Sequence, residues 1–265
     1  MKSKEKPVQR KIFDCVLLLS FIAIATGCAT AVNNETSYPY TFSAATFQNA
    51  KVNKIVIAHT NLGSPSRRYL DPYAGKIDAE VAKQLESSGF EIVDNQNFKS
   101  LWRGAARKHG APYNDQTGRV NQRSLQAVLF DVMEGVRENG IADAILFTDL
   151  IERDVVFQGR NQRMARWDGV ARPPSLRSGS GQLSADFNWN QSTSAVSLLL
   201  VMYDSEGAFL FKGAGGLDLT REIDTRSGNG RFVRKRTLFS NAKNLRQGVS
   251  IALHPLVPME GYLEQ

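Results

Sequence analysis

Residues 144–156, AILFTDLIERDVV, decide the fold because their first half is apolar on both alternating faces. Such a run is typical of a strand buried inside a sheet, and the charged second half indicates a strand that leaves the core. Upstream, residues 52–59 (VNKIVIAH) predict a first strand and residues 90–93 a short second strand. Apolar residues at helical spacing predict helices over residues 74–88, 98–108 and 124–139. The predicted order is a strand, a helix, a strand, two helices and a strand, which is a βαβ arrangement.

Downstream of this stretch, two apolar runs predict a β-hairpin. Residues 196–203 (VSLLLVMY) and 208–214 (AFLFKGA) flank the turn sequence DSEG, which contains a glycine. A last helix is predicted over residues 238–253, ending before Pro255. Together the segments predict one α/β (α+β-like) domain over residues 51–265, with a mixed β-sheet flanked by helices.

The N-terminus has the features of a secretory signal. Basic residues precede a short apolar run (residues 16–25), which is shorter than the roughly 20 residues of a membrane-spanning helix. The small residues Ala25, Thr26 and Gly27 then precede Cys28. This end resembles the lipobox of bacterial lipoproteins, in which the cysteine is acylated after the signal peptide is removed. The resemblance implies a signal peptide over residues 1–27, lipidation (palmitate) at Cys28, and a lipidated tether over residues 28–50.

Cysteine and charge content fit an exported protein. Cys15 lies inside the predicted signal, so acylation of Cys28 leaves the mature chain without a free thiol or a disulfide. Removal of residues 1–27 leaves 28 basic against 24 acidic residues, a net charge of +4. Ala29 follows Cys28 where an inner-membrane lipoprotein typically has Asp. By that resemblance, we expect the protein on the periplasmic face of the outer membrane of a bacterial cell envelope.

Residues 158–193 differ in composition from the rest of the chain. They form a long Arg/Gly/Ser-rich insertion, which is uncommon in a compact domain unless it is functional or mobile. Trp167 and Trp189 indicate that part of it packs, and residues 167–170 alternate like a short strand. The insertion carries a first basic cluster, formed by Arg160, Arg163, Arg166, Arg172 and Arg177. A second basic cluster lies further along the chain and consists of Arg231, Arg234, Lys235 and Arg236. A solvated loop, anionic lipid head groups and an acidic protein face all fit this pattern, whereas export argues against nucleic acid.

The body also resembles a known group of envelope lipoproteins. Ala142-Asp143-Ala144 leads into the long strand, VSLLLVMYDSEGAFLFKGAG forms the hairpin, and a helix follows. This order is similar to the CsgG/LpoB-type envelope lipoproteins and to the N-terminal domain of TolB. The resemblance implies a secretion channel, an activator of a cell-wall synthase or an envelope lipoprotein of another role. It implies no enzymatic activity.

Candidate catalytic and ligand-binding residues are scattered. The three histidines, His59, His109 and His254, are isolated, whereas metal sites use clustered ligands. Glu152 and Asp154 share a strand face and are the sequence's best candidate for an acid pair. Residues 213–216 (GAGG) lack the spacing of a phosphate-binding loop and indicate a bulge or a close backbone approach. We therefore predict no catalytic residues, no metal site and no cofactor.

The sequence thus predicts a non-catalytic, lipid-anchored envelope lipoprotein that acts as a protein-binding or assembly factor. Segment 158–193 is the first candidate for the contact surface, and self-association into a homo-oligomer is compatible with this role. One alternative is an oligomeric secretion-channel component of the CsgG type, which would need residues 170–205 to supply alternating strands of about 9–11 residues per crossing. A second, less favoured alternative is an envelope hydrolase that uses Glu152 and Asp154.

Overall fold

A computed structural model of the protein describes residues 40–59, 65–114, 116–159, 163–177, 187–226 and 230–259. The strands are β1 (Tyr40–Phe42), β2 (Lys54–His59), β3 (Glu91–Val93), β4 (Ala144–Val155), β5 (Phe157–Gln158), β6 (Met164–Trp167), β7 (Val170–Arg172), β8 (Thr193–Asp204), β9 (Phe209–Leu219), β10 (Arg221–Asp224) and β11 (Arg231–Arg234). The helices are α1 (Ala44–Ala50), α2 (Asp71–Ser87), α3 (Gln96–His109), α4 (Gln122–Glu138) and α5 (Ala242–Leu253), and Pro65–Leu70 is a 3-10 helix.

The main sheet is mixed, as predicted, and has the order β1-β9-β8-β4-β2-β3. Strand β2 runs parallel to both β3 and β4, which are joined to it through helices. Strands β4, β8, β9 and β1 then pair antiparallel in turn. The α/β fold class is confirmed, with its βαβ first half, its hairpin and its terminal helix.

Helices cover both faces of this sheet because its central strands are apolar on both faces. On β2, Ile55 and Ile57 face α2 and α5, whereas Val56 and Ala58 face α3 and α4. The same alternation divides β4 and β8 between the two sides. The result is a three-layer arrangement whose two cores lie above and below the central strands.

Glycines allow α5 to lie directly against β9. A Cβ on Gly215 would lie 2.0 Å from the backbone oxygen of Gly248 in α5, and one on Gly213 would lie 2.1 Å from that of Ala252. Strand β9 also contains a bulge, since Val196 pairs with Asp218 but the next residue, Ser197, pairs with Gly216. The GAGG run therefore makes a close backbone approach to α5 and ends directly before a bulge.

The N-terminal part of the described chain joins the sheet. Residues 40–50, which the sequence places in the tether, form β1 and α1, and β1 pairs with β9. The rings of Phe42 and Phe47 pack on each other at 5.5 Å, and Phe42 contacts Phe211 at 6.3 Å. Aromatic side chains at this spacing thus attach the segment to the domain, and the body begins at least ten residues earlier than predicted.

The described part of the Arg-rich insertion is structured. Strands β5, β6 and β7 form a small antiparallel sheet, with a turn at Asp168 and Gly169, whose φ values are +36° and +80°. Trp167 is fully buried in a third core together with Val155 and Leu219. Burial of the tryptophan stabilises this sheet against the body, so residues 163–177 are not a solvated loop.

Strand β8 lies in the middle of the main sheet between β4 and β9. Most of its residues are buried, on both faces, and β7 is only three residues long. These strands differ from the alternating strands that the secretion-channel alternative needs in this stretch. Among the described residues, no helix combines the length and the apolar character of a membrane-spanning segment.

Candidate functional site

The residue with the clearest role in the sequence, Cys28, lies outside the described residues, as do Cys15 and Arg160. The candidates that the structure does describe fall into two groups of charged side chains. One group lies where β2 ends beside the middle of β4, and the other lies on the β10–β11 hairpin.

The first basic cluster of the sequence is divided between structural and surface positions. Arg172 is buried, and its guanidinium donates to Gln247 Oε1 at 2.7 Å and to the backbone oxygen of Asn244 at 3.3 Å, both in α5. Arg163 lies over the ring of Trp189 at 5.1 Å. Arg172 thus attaches the insertion to the body, whereas the Arg163 contact lies within the insertion. The prediction that the whole basic run forms a contact surface is therefore wrong for Arg172.

Arg177 instead joins the second basic cluster. Ile223 in β10 donates its backbone N–H to Ser175 at 2.8 Å and accepts that of Arg177 at 2.9 Å. The segment before residue 178 thus runs beside β10 as a parallel neighbour. The Arg177 side chain then reaches Glu222 Oε1 at 2.8 Å and the backbone oxygen of Arg234 at 3.2 Å. Two clusters separated by about 50 residues meet here.

The meeting point is an open cleft of about 460 Å³, which we call the basic cleft. It is lined by Arg177, Glu222, Arg226, Lys235, Arg236 and Thr237. The hairpin has two faces because residues of a strand alternate. Phe232 packs on the third core and its cross-strand partner Ile223 is fully buried, whereas Glu222 lies on the opposite face of the hairpin. Apolar packing on one face therefore fixes the charged residues on the other.

Acidic residues hold most of the cleft's cations in place. Lys235 Nζ lies 2.7 Å from Asp218 Oδ1, and Arg226 forms an ion pair with Asp224. The Arg226 guanidinium holds the pKa of the Asp224 carboxyl below its usual value, mainly through the hydrogen bond between the two side chains. Arg236 is different: it is exposed and has no ion pair with any described residue. The cleft thus contains fixed cations and one cation that is available to a ligand.

The other charged group, which we call the strand-end cluster, consists of His59, Arg67, Asp78, Thr148 and Asp149. Strand β2 ends at His59 while β4 continues, and Arg67 from the 3-10 helix occupies the space beside it. Its guanidinium donates to the backbone oxygen of Leu150 at 2.7 Å and lies 3.4 Å from Asp149. Burial raises the pKa of Asp149 to about 6, although Arg67 favours the charged form.

A short hydrogen-bond chain completes this cluster on the side of α2. The Thr148 hydroxyl donates to Asp78 Oδ1 at 2.8 Å, and His59 Nδ1 lies 3.1 Å from the same hydroxyl. Since the hydroxyl proton points to Asp78, Nδ1 carries the proton that His59 donates. Thr148 and Asp149 are almost completely buried. A substrate would not reach them, so we interpret the cluster as structural.

The other candidate residues have individual structural contacts. His109 Nε2 lies 2.8 Å from Asp131, which also accepts from Lys108, and His254 packs against the ring of Tyr40. Hydrogen bonds from Lys108 and then His109 lower the pKa of Asp131. No group of three or more potential metal ligands occurs among the residues that the structure describes.

The predicted acid pair lies on an exposed end of β4. Glu152 accepts hydrogen bonds from Tyr69 Oη and, at 3.2 Å, from Ser194 Oγ. Burial and the bond to Glu152 raise the pKa of Tyr69. The guanidinium of Arg234 lies 3.7 Å above the same tyrosine ring. Glu152 thus helps to fix Tyr69, which in turn contacts strand β11 next to the basic cleft.

Sequence reasoning missed the acids that organise both groups. Asp218, Glu222 and Asp224 lie among the bases Arg221 and Arg226, a mixture that resembles an ordinary solvated strand. Arg67 and Asp78 lie more than 65 residues from their partners on β4, so local spacing gave no signal for them.

Comparison with known proteins adds no family. No protein-family model matches the chain, and no curated protein is significantly similar to it.

Proposed function

We propose that the chain is a non-catalytic lipoprotein of a bacterial cell envelope, anchored through an acylated Cys28, that binds another protein through the basic cleft. The observation that carries this proposal is the convergence of Arg177 with the second basic cluster. Residues distant in sequence form one charged concave surface, and the hairpin's apolar inner face keeps that surface in a fixed position. Fixed charged groups around a cleft favour specific recognition.

The anchoring part of the proposal rests on the N-terminal sequence. The basic segment, the apolar run and Ala25-Thr26-Gly27-Cys28 agree in order and length with a lipoprotein signal. Each buried acyl CH₂ contributes about 0.8 kcal/mol, so several acyl chains hold a globular domain firmly on a membrane. Ala29 favours the outer membrane.

Two cysteine variants test the anchor. Cells that express the full chain are grown with radiolabelled palmitate, and their membranes are separated from soluble protein. We expect label and membrane association for wild type and for Cys15→Ser, and loss of both for Cys28→Ser. Label that persists in Cys28→Ser, or wild type without label, would contradict the proposal.

A capture experiment tests partner binding. The full-length chain is cross-linked in cells, purified, and compared with an Arg236→Glu variant and an Arg123→Glu control. Arg123 is exposed on α4, outside the cleft. We expect a cross-linked protein that is retained by the control and lost from Arg236→Glu. Equal recovery with both variants would exclude the cleft as the binding surface.

A further inference from the structure

The lining of the basic cleft limits the chemistry of its ligand. Four of its six residues are cations and one is an acid, Glu222. Three of the four cations are arginines, whose planar guanidinium groups bind carboxylates or phosphates through paired hydrogen bonds. Thr237 adds a hydroxyl group. The cleft is therefore built for an oxyanion.

The cations are arranged before a ligand arrives. The side chains of Lys235 and Arg177 are mostly buried and held by Asp218 and Glu222. A long side chain that is already fixed loses less conformational entropy on binding than a free one. Arg236, exposed and without an ion pair among the described residues, then supplies the charge that these internal pairs do not neutralise.

The wider surface is also positive. Arg177 and the charged residues from Asp218 to Arg236 comprise seven bases and three acids. On β10 and β11, Arg221 lies directly opposite Arg234, and a like-charged cross-strand pair is unfavourable on its own. Arg234 is compensated by the ring of Tyr69. An anionic partner nearby would also stabilise this arrangement.

We propose that the basic cleft binds an acidic segment of a protein, whose carboxylates pair with Arg236 and the neighbouring guanidinium groups. Glu222 within the lining repels a phosphate, which carries up to two charges, more than a singly charged carboxylate. A concave site whose bases are mostly paired attracts a flat anionic membrane weakly. Leu176, which is 45% exposed beside Arg177, offers an apolar contact to a peptide chain. The inference rests on the proposed function only in taking the partner to be a protein.

The test uses the purified full-length chain in detergent and a fluorescent peptide of alternating glutamate and serine. Fluorescence anisotropy at low salt measures its dissociation constant for wild type, Arg236→Gln and the control Arg123→Gln. We expect saturable binding that Arg236→Gln weakens about tenfold, since a charge-assisted hydrogen bond is lost, and that Arg123→Gln leaves unchanged. Thermal unfolding checks that both variants fold. If Arg236→Gln does not fold, Arg226→Gln replaces it, because Arg226 is a second exposed cation of the cleft lining.

Three results would overturn the proposal. Equal weakening by Arg236→Gln and Arg123→Gln would mean that net charge alone attracts the peptide. If inorganic phosphate displaces the fluorescent peptide at a lower concentration than the unlabelled peptide does, the cleft is a phosphate site. Cosedimentation with phosphatidylglycerol vesicles that depends on Arg236, without peptide binding, would make it a lipid-binding site. Because the peptide assay needs no acylated Cys28, its failure is distinguishable from failure of the anchoring proposal.

Discussion

The strand-end cluster and the basic cleft contain the same kinds of side chains but differ in where they lie. In the strand-end cluster, the side chains of Arg67 and Asp149 are 15% and 9% exposed, and the 3-10 helix covers them. In the basic cleft, Arg226 is 60% exposed and Arg236 has no ion pair among the described residues. The other paired charges of both groups are similarly buried, so the comparison teaches that the exposed Arg226 and Arg236, and not residue type, distinguish the cleft from the strand-end cluster.

The difference arises from the elements that carry each group. Strand β4 continues beyond the end of β2, and a guanidinium is needed to satisfy the oxygen of Leu150 that faces this gap. The β10–β11 hairpin has a core on only one side, so its outer face carries charge without cost to the packing. The strand-end cluster satisfies a backbone group of the main sheet, whereas the basic cleft lies on the outer face of a small sheet.

Removal of Arg67 should have the largest effect. Arg67→Met leaves Asp149 buried without its cation, which typically destabilises a protein by about 3–5 kcal/mol. Urea unfolding measures the change in the free energy of unfolding. The control Arg123→Met, at an exposed helical position, should change it by less than about 0.5 kcal/mol. Equal effects of the two variants would mean that the buried pair does not stabilise the fold.

The second largest effect should be the pH dependence that buried Asp149 gives to the free energy of unfolding. The pKa of Asp149 rises from 3.8 to about 6 on folding, so the folded state binds the extra proton between these values. The free energy of unfolding should therefore fall as pH rises from 4 to 7. Relative to Asp149→Asn, the wild type should lose about 2 kcal/mol over this range. Parallel pH profiles of the two proteins would contradict the raised pKa.

Tyr69 lies between the strand-end cluster and the basic cleft, and its contact with Arg234 should contribute less to the free energy of unfolding. A double-mutant cycle of Tyr69→Leu and Arg234→Met isolates the contact of the guanidinium with the ring. We expect a coupling energy of about 0.5–1 kcal/mol, as for other cation–π contacts near a surface. Arg163→Met replaces Arg234→Met in a control cycle, because Arg163 lies over Trp189 instead. A coupling near zero in the first cycle would show that Tyr69 does not hold β11.

The smallest effect on stability should come from Glu222. The Glu222 and Arg177 side chains are only 17% and 21% exposed, but glutamine keeps an oxygen that accepts from the guanidinium, so Glu222→Gln should cost about 1 kcal/mol. The same variant should bind the acidic peptide more tightly, because it removes a competing carboxylate from the cleft. Anisotropy measures this gain, and Glu206→Gln, in the turn before β9, is the control. Weaker binding by Glu222→Gln would show that Glu222 acts mainly by holding Arg177 in position, and not by repelling the peptide.

The sequence predicts the central sheet well because its signals are local. Residues 144–156 are predicted as a strand, and β4 spans Ala144–Val155. Residues 74–88 are predicted as a helix, and α2 spans Asp71–Ser87. Apolar periodicity within one segment determines which face is buried, so these elements need no knowledge of distant residues.

The charge groups depend on pairings that no single segment contains. Arg172 and Arg177 belong to one basic run, yet one is buried against α5 and the other lines the cleft. That division follows from the pairing of Arg177 with Ile223, 46 positions away. Composition could therefore identify the bases, but only the fold separates those that pack from those that line the cleft.

If Cys28 is acylated as proposed, strand β1 limits how far the domain can lie from the membrane. Its pairing with β9 fixes Tyr40 at the sheet edge, and Tyr40 follows Cys28 by 12 positions. At 3.3–3.6 Å per residue, such a chain reaches at most about 40 Å even when fully extended. With the lipid on Cys28, the domain would stay within about its own diameter of the membrane surface. A partner fixed to the distant side of a wide periplasm would then have to extend its acidic segment across that space.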